Sequence, residues 1–118
     1  MIGLSAGLTG SDAAGGLRMS QAATMLIEET NAAGGVKGRQ LKLMTEDNQS
    51  TPTGAVNSVN KLIGEGAVAV VGPHLSSAAA AVNQIFKEKK VPFLPGGTSA
   101  VLLKLDNPFF FRPSTPDN

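Results

Sequence analysis

The sequence predicts an α/β fold, a doubly wound three-layer parallel sheet made by one domain. Three observations carry that expectation. Short apolar runs alternate with segments of helical periodicity along the whole chain. Residues 67–71 are apolar without a break, the pattern of a strand buried on both faces. Polar, glycine-rich loops separate the elements, and strand–helix alternation of this kind builds a parallel sheet with helices on both faces.

Each element has its own reason. Residues 1–6 are short and apolar and stop at Gly7, so they read as strand one. Residues 8–16 are a loop rich in Gly, Ser, Thr and Asp. Residues 17–33 place Leu17, Ala22 and Leu26 near helical spacing, and Gly34-Gly35 ends that helix. Residues 40–45 alternate as strand two, with Leu41 and Leu43 on one face. The second helix spans 53–64 with Val56, Val59, Leu62 and Ile63 inward, and Pro52 suits its first turn. Strand three is 67–71. The third helix, 76–89, opens on Ser76 and Ser77 as caps and ends in Lys87, Lys89 and Lys90, cations at its negative end. A short strand at 91–94, a brief helix at 99–104 and a last strand at 109–111 complete the pattern, and Pro113 and Pro116 break the chain beyond it. Right-handed crossovers make this a doubly wound sheet with the expected order 2-1-3-4-5.

Composition narrows the function. At 118 residues the chain is one domain by length, 42% hydrophobic and 16% charged. Ten Lys and Arg against nine Asp and Glu leave a net charge of +1, too little basic excess for a nucleic-acid partner. There is no cysteine, which excludes disulfides, thiol catalysis and Cys-based metal sites. His74 is the one histidine, so a multi-His metal site would need two chains. No cofactor is expected. No stretch has the roughly 18 apolar residues of a membrane span, and this chain carries no recognisable signal peptide.

In a doubly wound sheet, ligands bind beyond the carboxyl ends of the strands. That points to the loops around residues 7–16, 46–51, 72–77 and 95–99. The segment Gly72-Pro73-His74-Leu75-Ser76-Ser77 leaves the most apolar strand and opens a helix. Backbone N–H groups, the helix dipole and two hydroxyls make it an anion site, suited to a carboxylate or phosphate. The plainer alternative is that Ser76 or Ser77 only caps the helix. In Pro95-Gly96-Gly97-Thr98-Ser99 the paired glycines permit close approach of backbone to a ligand, and Thr98 both donates and accepts. The alternative there is a tight turn with a cap. Two such loops on adjacent strand ends reinforce each other.

Other loops fail specific tests. The first loop lacks the Lys and the Ser/Thr of a P-loop, and no G-x-G-x-x-G follows strand one. Glu46 and Asp47 are paired carboxylates without a nucleophile or histidine beside them in the pattern. A signalling receiver needs acidic residues after strands one and three, where this chain has Gly7-Leu8 and Gly72-Pro73. A flavodoxin-like redox protein would need a flavin. His74 reads as a surface or packing residue.

Several segments resemble one family. They are I-G-L-S-A-G-L-T-G from Ile2, E-E-T-N-A-A-G-G-V-K-G-R-Q-L from Glu28, E-D-N-Q-S-T-P from Glu46 and V-A-V-V-G-P-H-L-S-S from Val68. V-P-F-L-P-G-G-T-S-A from Val91 and F-F-F-R-P-S-T-P-D from Phe109 continue the match in order. Together they resemble the first lobe of type I periplasmic binding proteins of branched-chain amino-acid (leucine, isoleucine, valine) ABC importers. The resemblance implies a flavodoxin-like lobe that serves solute capture and not catalysis, in a periplasmic parent that delivers its ligand to importer membrane subunits. It also implies that Ser76 grips the ligand carboxylate, that the Gly96 carbonyl accepts from the ammonium, and that Thr98 contacts both, with Ser77 a further ligand-binding candidate. The expected ligand is a small amino acid or related carboxylate. Many relatives carry an aromatic residue in the first loop, where this chain reads Ala13-Ala14-Gly15-Gly16. Relatives are also about three times longer, so residues 1–118 correspond to one lobe and the second lobe is absent from them. A homo-oligomer is expected, because three consecutive phenylalanines, Phe109 to Phe111, point to both faces of a strand. The rival expectation is a half-lobe that folds and self-associates without binding a ligand.

Overall fold

The lobe is organised around four parallel strands, β1 (Ile2–Ala6), β2 (Leu43–Asp47), β3 (Ala69–Val71) and β4 (Phe93–Leu94), in the order β2-β1-β3-β4. Three helices connect them: α1 (Ala13–Ala32), α2 (Pro52–Gly64) and α3 (Ser76–Lys89). A 3-10 helix at Ala100–Lys104 follows β4. The computed structural model describes residues 1–117. The expected doubly wound α/β architecture is present, with β1 central and paired to β2 over five residues and to β3 over three.

Strand alternation assigns the faces. A Cβ on Gly3 would lie 3.2 Å from both Ala67 and Leu62, and Ser5 shares a 2.7 Å hydrogen bond with Ser58 of α2. The odd residues of β1 therefore face α2, and α3 packs beside α2 on that side. Here lies the core: Ala55, Val59, Leu62, Ala67, Val70, Ala78, Val82, Phe86 and Phe93 are all buried. Phe86 and Phe93 stack with centroids 4.1 Å apart, and Phe110 meets Phe93 edge-on at 5.4 Å. Leu4 and Ala6 face the opposite side, under α1.

That opposite side is half covered. α1 lies over β1 and β2, while Val71 is half-buried and Leu94 is exposed. The expectation that strand three is buried on both faces is therefore met only in part, because α1 leaves a cavity between its Met19, Ala22, Ala23 and Leu26 and the half-buried Val71. Only Val70 of β3 is fully buried.

Several details differ from the sequence reading, four of them for an evident physical reason. α1 begins at Ala13, not at residue 17. Gly16, which reads as loop, is helical because a Cβ there would sit 2.0 Å from the Gly7 carbonyl oxygen, so only glycine permits this approach of helix to loop. β2 slides to Leu43–Asp47 because its ladder must match β1, Ile2 opposite Leu43 and Ala6 opposite Asp47. α3 has the expected span, but its N-cap is Leu75 and no side chain caps it, so the serines are not caps. The expected fifth strand at 109–111 is a single parallel bridge, Phe110 to Phe93, with two backbone hydrogen bonds.

Candidate functional site

The loops singled out from the sequence lie at the carboxyl ends of the strands. Ser76 and Ser77 are the first two residues of α3. The first intrahelical bond of α3 runs from the Ala79 N–H to the Leu75 carbonyl, so the N–H groups of Ser76, Ser77 and Ala78 precede the hydrogen-bonded ladder. With no side-chain cap, the positive end of the helix dipole meets the crevice directly. Ser77 is exposed and Ser76 half-buried.

The loop after β4 packs against this helix end. The Ser99 N–H donates to Ser76 Oγ at 3.2 Å, which leaves the Ser76 hydroxyl proton free to donate. A Cβ on Gly97 would lie 2.8 Å from Ser76 Oγ and 2.9 Å from Ser76 Cα. A Cβ on Gly96 would lie 2.4 Å from His74 Nδ1, and the Gly96 N–H donates to the Pro73 carbonyl at 3.1 Å. The paired glycines thus serve the close approach of two protein loops. His74 is a packing residue against Gly96, as its lone position led us to expect. Thr98 is exposed at the loop tip, beside this junction. All four residues singled out from the sequence stand at the ends of β3 and β4: Ser76 and Ser77 on the helix, Gly96 and Thr98 on the loop.

The neighbouring loops are built as supports. Asp47 Oδ1 accepts from the N–H groups of Leu8, Thr9 and Gln49, and Oδ2 from the Thr9 hydroxyl at 2.7 Å. The Thr9 hydroxyl foremost, with these backbone donors, holds the Asp47 carboxyl below its ordinary pKa. Glu46 pairs with Lys61 at 2.9 Å. Both carboxylates are thereby engaged, and neither is poised as an acid or base. Ser50 Oγ donates to the Thr9 carbonyl and accepts from the Asp12 N–H, which ties the first loop to the β2–α2 loop. Among the described residues no group of three or more His, Asp or Glu could hold a metal ion, and no helix is long and apolar enough to cross a membrane. A depression of about 430 Å³ lies between Met1, Val36, Leu41 and Val68 at the amino ends of the strands, away from this junction.

Sequence reasoning passed over three contributors: Ser99, whose N–H fixes Ser76; Gly97 as the close-packed member of the pair; and Arg112, whose Nη1 donates to the Ser99 carbonyl at 3.0 Å. The segment 112–117 carries two prolines and reads as chain exit. Its return to the loop leaves no periodic signal.

The uncapped end of α3 and the glycine-rich loop after β4 thus meet at the carboxyl ends of the strands, where ligands bind in open parallel α/β sheets. The chain belongs to the periplasmic binding protein family, whose model matches residues 1–118. It is 36% identical over 104 residues to the Leu/Ile/Val-binding protein BraC3 of Rhizobium johnstonii, covering 87% of this chain and 28% of that protein. It is 32% identical over 118 residues to a leucine-, isoleucine-, valine-, threonine- and alanine-binding protein of Pseudomonas aeruginosa, covering 99% of this chain and 32% of that one. Its structure matches that of the branched-chain amino-acid transporter substrate-binding protein LivJ of Streptococcus pneumoniae, in complex with isoleucine, with a TM-score of 0.93 and 31% identity, covering 98% of this chain and 33% of that one. These relatives are named for what they bind, none for a reaction. The chain spans about a third of their length or less.

Proposed function

We propose that the chain is the first ligand-binding lobe of a substrate-binding protein that captures a branched-chain or related small amino acid for delivery to an ABC importer. The parent works in the periplasm and passes its ligand to membrane subunits of the importer; it is a binder and not a catalyst. The observation that carries this reading is the uncapped amino end of α3, where backbone N–H groups converge with the hydroxyls of Ser76 and Ser77. The ligand carboxylate takes that position. Its ammonium faces the Gly96 carbonyl, which has no hydrogen-bond partner among the described residues, and Thr98 bridges the two charges.

One lobe makes half a site. Full sites enclose roughly 70–90% of a ligand, and the entropy of association is lost whether one lobe engages or two. The expected affinity of the 118-residue chain for leucine, isoleucine or valine is therefore about millimolar or weaker. Titration followed by nitrogen–proton correlation spectra tests this. Saturable shifts at Ser76, Ser77, Gly96 and Thr98 support it, and shifts elsewhere or none overturn it. A second reading, a half-lobe that self-associates without binding, is favoured by the open face beside β3, where Val71 and exposed Leu26 and Leu94 lack a covering layer.

A further inference from the structure

The chain turns back on its own ligand loop after Arg112. Arg112 Nη1 donates to the Ser99 carbonyl at 3.0 Å, Ser114 Oγ to the Gly97 carbonyl at 3.3 Å, and the Asp117 N–H to the Thr98 carbonyl at 2.7 Å. Three successive carbonyls of the loop are thus taken by one six-residue segment. The fourth, that of Gly96, is not among them. From the other side the loop is held by the Ser99 N–H to Ser76 Oγ bond. Ser99 therefore connects α3 on its amide side to Arg112 on its carbonyl side.

We propose that Arg112 is a positioning residue for ligand recognition: its guanidinium, with Ser114 and the Asp117 amide, straps the 97–99 loop so that its carbonyls point away from the crevice and that of Gly96 alone is presented to the ligand ammonium. This rests on reading the loop as the ammonium-facing half of the site. The chemistry favours arginine over lysine here. The planar fork is pre-organised, so a hydrogen bond to a carbonyl at a fixed distance costs it less ordering than a flexible ammonium would lose. Without the strap the Gly97 and Thr98 carbonyls lose their partners and the Ser99 carbonyl keeps only the Leu102 N–H at 3.2 Å, and a loop with competing carbonyls has no single place for a cation. The carboxylate half of the site, built on α3, does not depend on it.

The test uses the 118-residue chain, Arg112→Gln and Arg112→Lys, with leucine and isocaproate (leucine without its amino group) as probes. Nitrogen–proton spectra without ligand are recorded first. Arg112→Gln is expected to move the Gly97, Thr98 and Ser99 amides while those of β1 and α2 stay in place. In titrations it should lower the preference for leucine over isocaproate by about fivefold, leave isocaproate binding unchanged, and be partly rescued by Arg112→Lys. A purely structural role would weaken both probes equally. Unmoved loop amides overturn the strap whatever the ligand does. Moved amides with an unchanged preference overturn the positioning role alone. If the unsubstituted chain binds neither probe, the positioning role falls with the ligand reading, and the amide shifts still decide whether the strap exists.

Discussion

Gly97→Ala is the most direct test of how the crevice is assembled. Gly97 does not occupy the positive-φ region, so alanine fits its backbone and any cost is steric. The new methyl would lie 2.8 Å from Leu102 Cδ1, 2.8 Å from Ser76 Oγ and 2.9 Å from Ser76 Cα. Carbon–carbon contacts are comfortable at about 3.5–4.0 Å, so both Leu102 and Ser76 must retreat. Leu102 is 1% exposed and has no room to do so, and Ser76 Cα belongs to the backbone of α3. Inserting one methyl into a packed region typically costs about 1–3 kcal/mol. In a chain of this size each kcal/mol lowers Tm by roughly 4 °C or somewhat more. The control is Gly64→Ala at the end of α2, where a Cβ meets nothing within 4 Å and a helix-favouring residue should be neutral or stabilising by up to about 1 kcal/mol. Urea and thermal denaturation of both variants measure the difference. Equal stability of the two would refute the claim that loop and helix touch here. A loss at Gly97 should come with displaced amide resonances at Ser76 and Ser99.

The remaining expectations concern separate parts of the lobe. Ser76→Ala and Thr98→Ala should each weaken amino-acid binding about tenfold or more, whereas His74→Ala, which removes packing but no ligand contact, should leave most of it; equal losses at all three by titration would contradict the assignment. Because Asp47 has a depressed pKa in the fold, its contribution is present above the unfolded carboxylate pKa and is lost as pH falls through the lower folded value, so stability should decline below about pH 5 and Asp47→Asn should flatten that decline in a Tm-against-pH series. Phe93→Ala removes a fully buried ring that touches Phe86 and Phe110 and should cost about 3–5 kcal/mol by urea denaturation; a loss under 1 kcal/mol would mean that the stack is not the centre of the core. The open face should drive self-association, visible by light scattering as a mass above 12.0 kDa that grows with concentration, and Leu26→Lys with Leu94→Lys should reverse it; a monomer at every concentration would remove the second reading.

The legible parts of this molecule were those set by short-range chemistry. α3 could be delimited to the residue because Gly72-Pro73 breaks the chain before it and lysines close it. α2 was off by one residue because Pro52 belongs to its first turn, with Thr51 as the cap accepting from the Gly54 N–H. The loops that carry Ser76, Ser77, Gly96 and Thr98 could be placed together because the strand–helix pattern fixes which loops share an end of the sheet. Long-range constraints were hidden. The start of α1 depends on Gly16 meeting Gly7, and the register of β2 depends on the length of β1, and neither distance is written locally. Ser76 and Ser77 look like caps in sequence. Only the position of the Ser99 amide shows that the Ser76 hydroxyl accepts from the neighbouring loop and not from its own helix.

The uneven packing of the lobe bears on how the site is held. Of the 20 residues of α1 only Gly16 is buried, while Leu17, Met25 and Leu26 are more than half exposed. The apolar burial that stabilises the fold is thus concentrated in the layer formed by α2 and α3 against Gly3, Val70 and Phe93. α3 starts with Ser76 and Ser77, and the loop 96–99 leaves β4 next to Phe93, so both elements are rooted in that well-packed layer. Leu102, buried against Gly97, extends the same layer to the ligand loop. The open face, by contrast, involves α1, Val71 and Leu94. Free energy gained by covering that face acts mainly on α1 and the first loop, which Asp47 and Ser50 already tie to β2 and α2. The geometry of Ser76, Gly96 and Thr98 follows from the packing around Phe86, Phe93 and Leu102, and does not require the uncovered side of the sheet to be filled.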